Sequence, residues 1–308
     1  MSKILVTGGA GFIGSTLVDK LISEGHEVVV LDNLVSGKRD YVNPQAKLYE
    51  LDICSPEVKG VFETEQPEIV YHLAAQIDVR ISVSDPVYDN KINAVGSLNL
   101  LENCRKFEVR KFIFASTGGA IYGEAEEIPT TESAPTYPLS PYGIHKLTTE
   151  KYCKFYQTVY ELDYTILRFA NVYGPRQYKG GEAGVVSIFI EHAVSGKDCL
   201  INGDGLQTRD YVYVDDVVSA LNKAKEVNYQ GEINIAYGKE ITVLDVVKAI
   251  SNSLGSEFEP QHVPAKLGEQ RRSCLSYDLA KKILNWEPQV DITEGVKRTI
   301  EWTKNLTS

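Results

Sequence analysis

The sequence predicts an α/β protein: a doubly wound parallel sheet followed by a smaller C-terminal substrate-binding lobe. Three observations carry that prediction. Short apolar runs rich in β-branched residues alternate with helical patterns through the first half of the chain. The first of those runs ends in a glycine turn that leads straight into a helix. The polar residues best suited to chemistry stand just past the ends of such runs, where open parallel sheets bind their ligands.

Lys3-Ile-Leu-Val-Thr7 reads as a buried strand, followed at once by Gly8-Gly-Ala-Gly11-Phe12-Ile13-Gly14. A helical pattern in Phe12, Leu17, Val18, Leu21 and Ile22 comes next and is stopped by Gly25. Glu27-Val-Val-Val-Leu31 is the second strand, ending in Asp32-Asn33. Strand, glycine turn, helix, strand, acid is the context that makes a glycine motif a dinucleotide site. Gly8 permits the tight turn, Gly11 lets backbone approach a pyrophosphate, and Gly14 lets the helix pack close to the sheet. The helix N-terminus supplies amides and dipole for the phosphates. Asp32 sits where a carboxylate accepts from a ribose diol and repels a 2′-phosphate, so the expected cofactor is NAD rather than NADP.

The alternation continues. Lys47–Leu51 reads as a strand with Asp52-Ile53 at its end, and Glu68–Leu73 as another, ending in Ala74-Ala75-Gln76. Asn93-Ala-Val-Gly96 is expected to open the helix of Leu98, Leu100, Leu101 and Cys104. Lys111–Ala115 delivers Ser116-Thr117, and Thr165–Phe169 delivers Ala170-Asn171. From about residue 172 the chain turns to loops rich in Gly, Pro and Arg. The expected division is a nucleotide-binding domain over 1–171 and a substrate lobe over 172–308. Segments near 211–236 are expected to return to the first domain. No internal repeat or low-complexity segment interrupts this pattern.

Composition narrows the function classes. The 308 residues include 42 acidic against 32 basic side chains, a formal net charge of −10. That excludes a general nucleic-acid surface, so an anionic ligand must be held by particular arginines. Five scattered cysteines form no CxxC pair, and neither they nor the five histidines show metal spacing, which predicts no metal and a reducing, cytoplasmic setting. No apolar run is long enough to span a bilayer, and the chain enters a strand at once, so no signal peptide is expected.

Tyr142-Gly-Ile-His-Lys146 places a phenol and an ammonium at i and i+4, on one face of a helix. A phenol titrates near ~10 and needs help to act as a base at neutral pH. A neighbouring ammonium can lower it by roughly 1–3 units. The pair is therefore a candidate proton-transfer device for a substrate hydroxyl. By itself the spacing equally fits a surface helix with a half-buried tyrosine.

Taken together, Gly8-x-x-Gly11-x-x-Gly14, Ala74-Ala75, the Thr117 strand end and Tyr142-x-x-x-Lys146 resemble the extended short-chain dehydrogenase/reductase family, whose sheet is a Rossmann fold. More narrowly they resemble the UDP-glucose (UDP-galactose) 4-epimerases. The likeness covers nearly the whole chain, including Leu167-Arg-Phe-Ala-Asn171-Val-Tyr-Gly-Pro-Arg176, Gly203-Asp-Gly-x-Gln207-Thr-Arg209-Asp-Tyr-Val-Tyr-Val-Asp-Asp216 and Gly268-Glu-Gln-Arg271.

The resemblance implies that Tyr142 is the acid/base at the sugar 4-hydroxyl, that Lys146 holds it as phenolate, and that Thr117 bonds the same hydroxyl. Family members commonly carry serine at the Thr117 position and one residue fewer in the loop Gly118–Tyr122, so Ser116 is a rival. By the same resemblance Asp52 and Ile53 flank the adenine, Leu73, Ala74, Ala75 and Gln76 pass beneath the cofactor, and Asn93 steadies that loop. Asn171, Arg209 and Arg271 would contact the diphosphate, while Val185 and Ile188-Phe-Ile190 border the uracil with Tyr211 near them. Ser273 stands where a bulky tyrosine confines some epimerases to UDP-glucose and UDP-galactose, so a small residue there predicts room for an N-acetyl group. Relatives that dehydrate nucleotide sugars carry an acid after the Thr117 position, whereas this chain has Gly118-Gly119.

The expected function is thus an NAD-dependent UDP-hexose 4-epimerase acting through a 4-keto intermediate. The alternatives are a UDP-glucuronate 4-epimerase, another nucleotide-sugar oxidoreductase or dehydratase, and a non-catalytic dinucleotide-sensing regulator. Excess apolar residues on the Asn93 and Tyr142 helices predict a homodimer. Asp215-Asp216 read as helix N-capping residues. His26, His72, His145, His192 and His262 read as loop or packing residues.

Overall fold

The computed structural model describes residues 1–177, 184–265 and 270–307. In chain order its first half contains β1 (Lys3–Thr7), α1 (Phe12–Ser23), β2 (Glu27–Asp32), β3 (Lys47–Glu50), α2 (Val58–Glu65), β4 (Ile69–His72), α3 (Val79–Ser84), α4 (Pro86–Asn90), α5 (Ser97–Lys106), β5 (Lys111–Thr117), α6 (Gly118–Ile121), α7 (Pro141–Tyr160) and β6 (Asp163–Phe169). The second half has shorter strands. It contains β7 (Asn171–Tyr173), α8 (Val185–Ser195), β8 (Leu200–Asn202), β9 (Thr208–Arg209), β10 (Tyr211–Tyr213), α9 (Val214–Ala224), β11 (Glu232–Ile235), β12 (Ile241–Thr242), α10 (Val243–Leu254), β13 (Gln261–Val263), α11 (Asp278–Leu284) and α12 (Ile292–Thr307).

Seven strands form one parallel sheet in the order β11-β6-β5-β4-β1-β2-β3. The first six follow the doubly wound order, and the reversal beside β1 opens a crevice at the strand carboxyl ends. Successive strand residues feed opposite faces. Ile4 and Val6 pack on the face covered by α1 and α9, whereas Leu5 packs on the face covered by α2, α5 and α7. Both faces are covered, which is why these strands are continuously apolar rather than alternating. In the register, His72 is level with both Thr7 and Phe114, so β5 runs on beyond β4 and carries Thr117 over the crevice. β11 sits beside β6, and α9 packs on α1, while β10 pairs with β7 in a separate two-stranded sheet.

Three local expectations are corrected. Asn93 does not open a helix: Lys91–Gly96 is a π-turn that joins α4 to α5, with Asn93 inside it. Gly118–Tyr122 is not a loop, because Gly118–Ile121 forms one helical turn, α6. Asp215 and Asp216 do not cap α9, whose N-cap is Tyr213 with no side-chain bond. Asp216 instead accepts from the Val290 amide, and its carbonyl accepts from Trp286 Nε1 at 3.0 Å, tying the C-terminal segment to α9. Asp215 lies in the first turn near Arg298, where a carboxylate suits the helix dipole.

Candidate active site

The glycine turn is built as its spacing requires. Gly8 has φ +72°, and a Cβ there would stand 2.7 Å from Ala74 N, so the turn and the Ala74 loop lie backbone to backbone. A Cβ on Gly14 would stand 2.0 Å from Gly8 O, so Gly14 packs on the turn itself rather than on the strand. A Cβ on Gly11 would meet only Gly8 O, at 3.2 Å. Gly11 therefore edges a cradle that a side chain would fill. No side chain caps α1 at Gly11, and its first turn, with Phe12 and Ile13, contains no acid. The amides and dipole at that end are thus free for an anion, and the residues fit a dinucleotide pyrophosphate.

Asp32 is braced against the turn, accepting from the amides of Ala10 at 3.0 Å and Leu34 at 2.9 Å. Burial pushes its carboxyl above the usual range. Each oxygen keeps acceptor capacity for a ribose hydroxyl. Asn33 Nδ2 donates to Asp52 Oδ2 at 3.0 Å, so the ends of β2 and β3 form one polar edge. Against the effect of burial, the Cys54 amide and Asn33 hold the Asp52 carboxyl below its usual range. Ile53 is 5 % exposed and fills the space over Gly96, so its side chain belongs to the core.

Leu73, Ala74, Ala75 and Gln76 lie beside the turn. The Leu73 amide donates to Thr7 O, and the Ala74 amide to Thr7 Oγ1. Asn93 grips both backbone groups of Gln76, accepting from its N–H at 3.0 Å and donating to its carbonyl at 2.8 Å. His72 is fully enclosed. Burial, aided by Lys146, keeps it neutral. Its Nδ1 meets Thr7 Oγ1 at 2.8 Å and its Nε2 meets Ser97 Oγ at 2.7 Å.

The start of α7 is set by Ser140, whose hydroxyl accepts from the Gly143 amide, and by Pro141 in the first turn. A Cβ on Gly143 would stand 2.6 Å from Ala120 O, so the first turn of α7 rests on α6. Tyr142 and Lys146 share a face. The Lys146 ammonium donates to Ala115 O at 2.9 Å and lies 6.0 Å from the Tyr142 ring centre. Burial lowers Lys146 to about 8, opposed by the charges of Asp89 and Glu150. The expectation of a lowered Tyr142 is corrected. Burial, reinforced by Asp89, raises it.

Ser116 and Thr117 separate. Ser116 is buried and its hydroxyl donates to Glu150, which in turn holds Arg168 through two bonds. Thr117 is half-buried and stands at the N-cap of α6, where its side chain makes no capping bond.

On the other lobe, Asn171 is exposed, with its Oδ1 3.9 Å from where a Cβ on Gly119 would stand. The Thr208 amide donates to Arg271 O, which brings Arg271 beside β9, the strand that carries Arg209. Arg209 donates to Thr208 O. Arg271 forms a two-pronged pair with Asp204, and Arg272 one with Glu240. Ser273 is buried and lines a small cavity with Gly118, Tyr122, Ala125 and Leu275. The alignment anchors Gly268 and Glu269 lie outside the described residues. Val185, half-buried, begins α8. Phe189, Ile190 and Tyr211 are core residues, so the side chains of Phe189 and Ile190 are turned inward, while Ile188 is half-buried and packs against the core.

Sequence reasoning missed Asp89, Asp204, Glu150 and the role of His145, each defined by a partner distant in the chain. Among the described residues no cluster of three metal-ligating side chains occurs, and no helix is long and apolar enough to cross a membrane.

The likenesses to known proteins are extensive. Residues 4–237 match the family model described as the NAD dependent epimerase/dehydratase family. A Thermotoga maritima UDP-glucose 4-epimerase, solved with UDP-glucose, superimposes with a TM-score of 0.97 at 49 % identity, covering 99 % of this chain and 100 % of that one. A UDP-glucose 4-epimerase of Mycolicibacterium smegmatis is 42 % identical over 98 % of this chain and 99 % of its own length. A UDP-N-acetylglucosamine 4-epimerase of Methanobrevibacter ruminantium, solved with UDP-N-acetylmuramic acid, has a TM-score of 0.94 at 33 % identity, covering 99 % of both chains. With that match spanning three quarters of its length, the chain belongs to the NAD-dependent epimerase/dehydratase family, within the extended short-chain dehydrogenase/reductases.

Proposed function

We propose that this protein interconverts the C4 epimers of UDP-hexoses, UDP-Glc with UDP-Gal and UDP-GlcNAc with UDP-GalNAc, through a transient 4-keto sugar. The observation that carries the choice of reaction is the pair Gly118-Gly119 directly after Thr117. Elimination of water from the sugar needs its own acid and base, and α6 offers no side chain there for either. Reversible oxidation at one carbon needs only a proton carrier at the 4-hydroxyl.

In this reading Tyr142 takes that proton and later returns it, with Thr117 bonded to the same hydroxyl. Lys146 supplies the positive charge that favours phenolate against the burial that opposes it. Bound NAD supplies the hydride acceptor and donor at C4 and is regenerated at each turnover. Asp32 holds the adenosine ribose, and Gly11 with the amide end of α1 holds the pyrophosphate. Asn171, Arg209 and Arg271 anchor the substrate diphosphate, the Arg271 fork turning from Asp204 to phosphate oxygens of the same geometry. The anchor lies at the nucleotide end, so the 4-keto sugar can turn over and present its other face. Ser273 leaves space beside C2 for an N-acetyl group. The division at residue 171 separates the NAD domain from the lobe that supplies these anchors, with β11 and α9 belonging to the former.

Ile144, Tyr152, Phe155 and Val159 form an exposed apolar seam along α7, and Ile81, Val87 and Val95 are exposed on the neighbouring segments. That seam supports a homodimer through these helices, which a sizing column tests. Five unpaired cysteines fit the reducing cytoplasm.

The deciding experiment is anomeric-proton NMR of UDP-Glc, UDP-GlcNAc and UDP-GlcA, each incubated with purified protein and no added NAD. Conversion of the first two to their 4-epimers is expected. Turnover of UDP-GlcA alone, or loss of water from any of them, overturns the reading.

A further inference from the structure

One buried carboxylate adjoins the substrate anchors yet has no part in the chemistry above. Asp210 stands between β9 and β10, directly after Arg209, and has no exposed surface. Its Oδ1 accepts from the Tyr237 amide at 2.8 Å. Its Oδ2 accepts from the amides of Gly238 at 3.0 Å and Leu275 at 3.2 Å, and from the Cys274 thiol at 3.6 Å. These donors come from two separate segments, the turn after β11 and the stretch that follows Ser273. The Asp210 carbonyl accepts from the Asn171 amide at 2.9 Å, where β10 begins its pairing with β7. A carboxylate only accepts, so this one gathers neutral donors onto one point. An asparagine there would aim an N–H at one of the amides that now donate.

The stretch after Ser273 is held along both edges. The Thr130 amide donates to Cys274 O at 2.9 Å, and Thr130 O accepts from the Ser276 amide at 2.8 Å. In extended chain the intervening amide points to the opposite edge, and there Asp210 takes the Leu275 N–H. The Leu275 side chain in turn presses on α6, since a Cβ on Gly118 would stand 2.3 Å from Leu275 Cδ1. Gly118 follows Thr117 directly, and Ser273 is two residues before Leu275. Asp210 thus ties the backbone beside Arg209 and Asn171 to the stretch that carries Ser273 and leans on the Thr117 turn.

We propose that Asp210 is a positioning residue that fixes the separation between the diphosphate anchors, Asn171 and Arg209, and the wall beside the sugar formed by Ser273 and Leu275. This rests on the reading of those residues as substrate contacts. Asn171 keeps its place through the pairing of β7 with β10, which does not use the Asp210 carboxyl group. The Ser273 stretch loses one edge when that group is removed. The consequence therefore falls on the sugar and not on the nucleotide. A sugar C4 displaced by about 1 Å from its partners can lose on the order of 10²-fold in rate while the rest of the substrate is held as before.

The test is steady-state kinetics of the Asp210→Asn holoenzyme with UDP-Glc and UDP-GlcNAc, inhibition by UDP, which has the diphosphate but no sugar, and bound NAD measured by absorbance. kcat/KM for both sugars is expected to fall about 10²-fold, with Ki for UDP within about two-fold of the wild type and bound NAD unchanged. A loss of UDP affinity in proportion to kcat/KM overturns the proposal. So does a fall in kcat that the NAD-loaded fraction accounts for, and so do wild-type kinetics. Ser273→Tyr, measured alongside, separates this from the underlying reading: if it turns over both sugars as the wild type does, Ser273 is no substrate contact and that reading fails. If Asp210→Asn does not fold, amide hydrogen exchange of the wild-type holoenzyme decides. UDP-GlcNAc is then expected to slow exchange at Gly238 and Leu275 further than UDP does, and equal slowing by both refutes the proposal.

Discussion

Ser116 Oγ donates to Glu150 Oε1 at 2.6 Å, and that bond commits Ser116 to the side of β5 that faces α7 and Arg168. Side chains alternate along a strand, so the adjacent Thr117 presents the opposite side. Of the two neighbouring hydroxyls, the proposed reading therefore takes Thr117 as the one at the sugar. Thr117→Ala is expected to lower kcat by about 10²-fold with little change in KM, in the range for a group engaged in proton transfer. Ser116→Ala is expected to keep most of the activity and lose about 2 kcal/mol of stability, the worth of a hydrogen bond to a charged partner. Steady-state kinetics and urea unfolding of both variants check this.

On the proposed reading, Lys146 sets the alkaline limit. Its ammonium is the form that favours phenolate, and burial lowers it to about 8, so kcat should fall as pH rises through that value. The same burial acts on stability with a definite sign. The unfolded chain binds this proton more tightly than the native fold does, so the penalty is full below about pH 8 and is relieved as pH climbs toward ~10.5. Lys146→Met should therefore be inactive yet more stable at pH 7 by roughly 3 kcal/mol, less the lost bond to Ala115 O. A melting temperature equal to or below the wild type would contradict this.

On the proposed reading, Ser273 controls which sugars fit. It is buried against α6 in a cavity shared with Gly118 and Leu275, and a phenol ring placed there would occupy that space. Ser273→Tyr should reduce kcat/KM for UDP-GlcNAc on the order of 100-fold while sparing UDP-Glc within a few-fold. Equal losses for both substrates would place Ser273 elsewhere than beside C2.

Gly14 admits no side chain. The clash of a Cβ with Gly8 O involves backbone on both sides, so neither α1 nor the turn can yield cheaply. Gly14→Ala should cost about 3 kcal/mol. It should also purify with less NAD, seen as a fall in the absorbance ratio at 260 and 280 nm.

Much of this protein is legible along the chain because it is locally encoded. The β1 turn, its helix and Asp32 occupy one contiguous stretch, and Tyr142 and Lys146 are one helical turn apart. The sheet order follows from alternating strands and helices that must cover both faces. Expectations failed where a residue's partner lies far away. Asp215-Asp216 suggested caps, but Val290 and Arg298 decide their use. Ile188-Phe-Ile190 suggested a ligand wall, but helical periodicity turned Phe189 and Ile190 into the core.

Periodicity and short-range stereochemistry, then, made the fold, the nucleotide turn and the Tyr142–Lys146 pair readable from residue order alone. The surroundings of that pair were settled by packing across separations no local pattern records: Asp89 meets His145 across 56 residues, and Arg271 meets Asp204 across 67. Burial supplies the physical reason. Once water is excluded, a charge's behaviour is governed by whichever groups the folded chain brings against it, wherever in the sequence they originate.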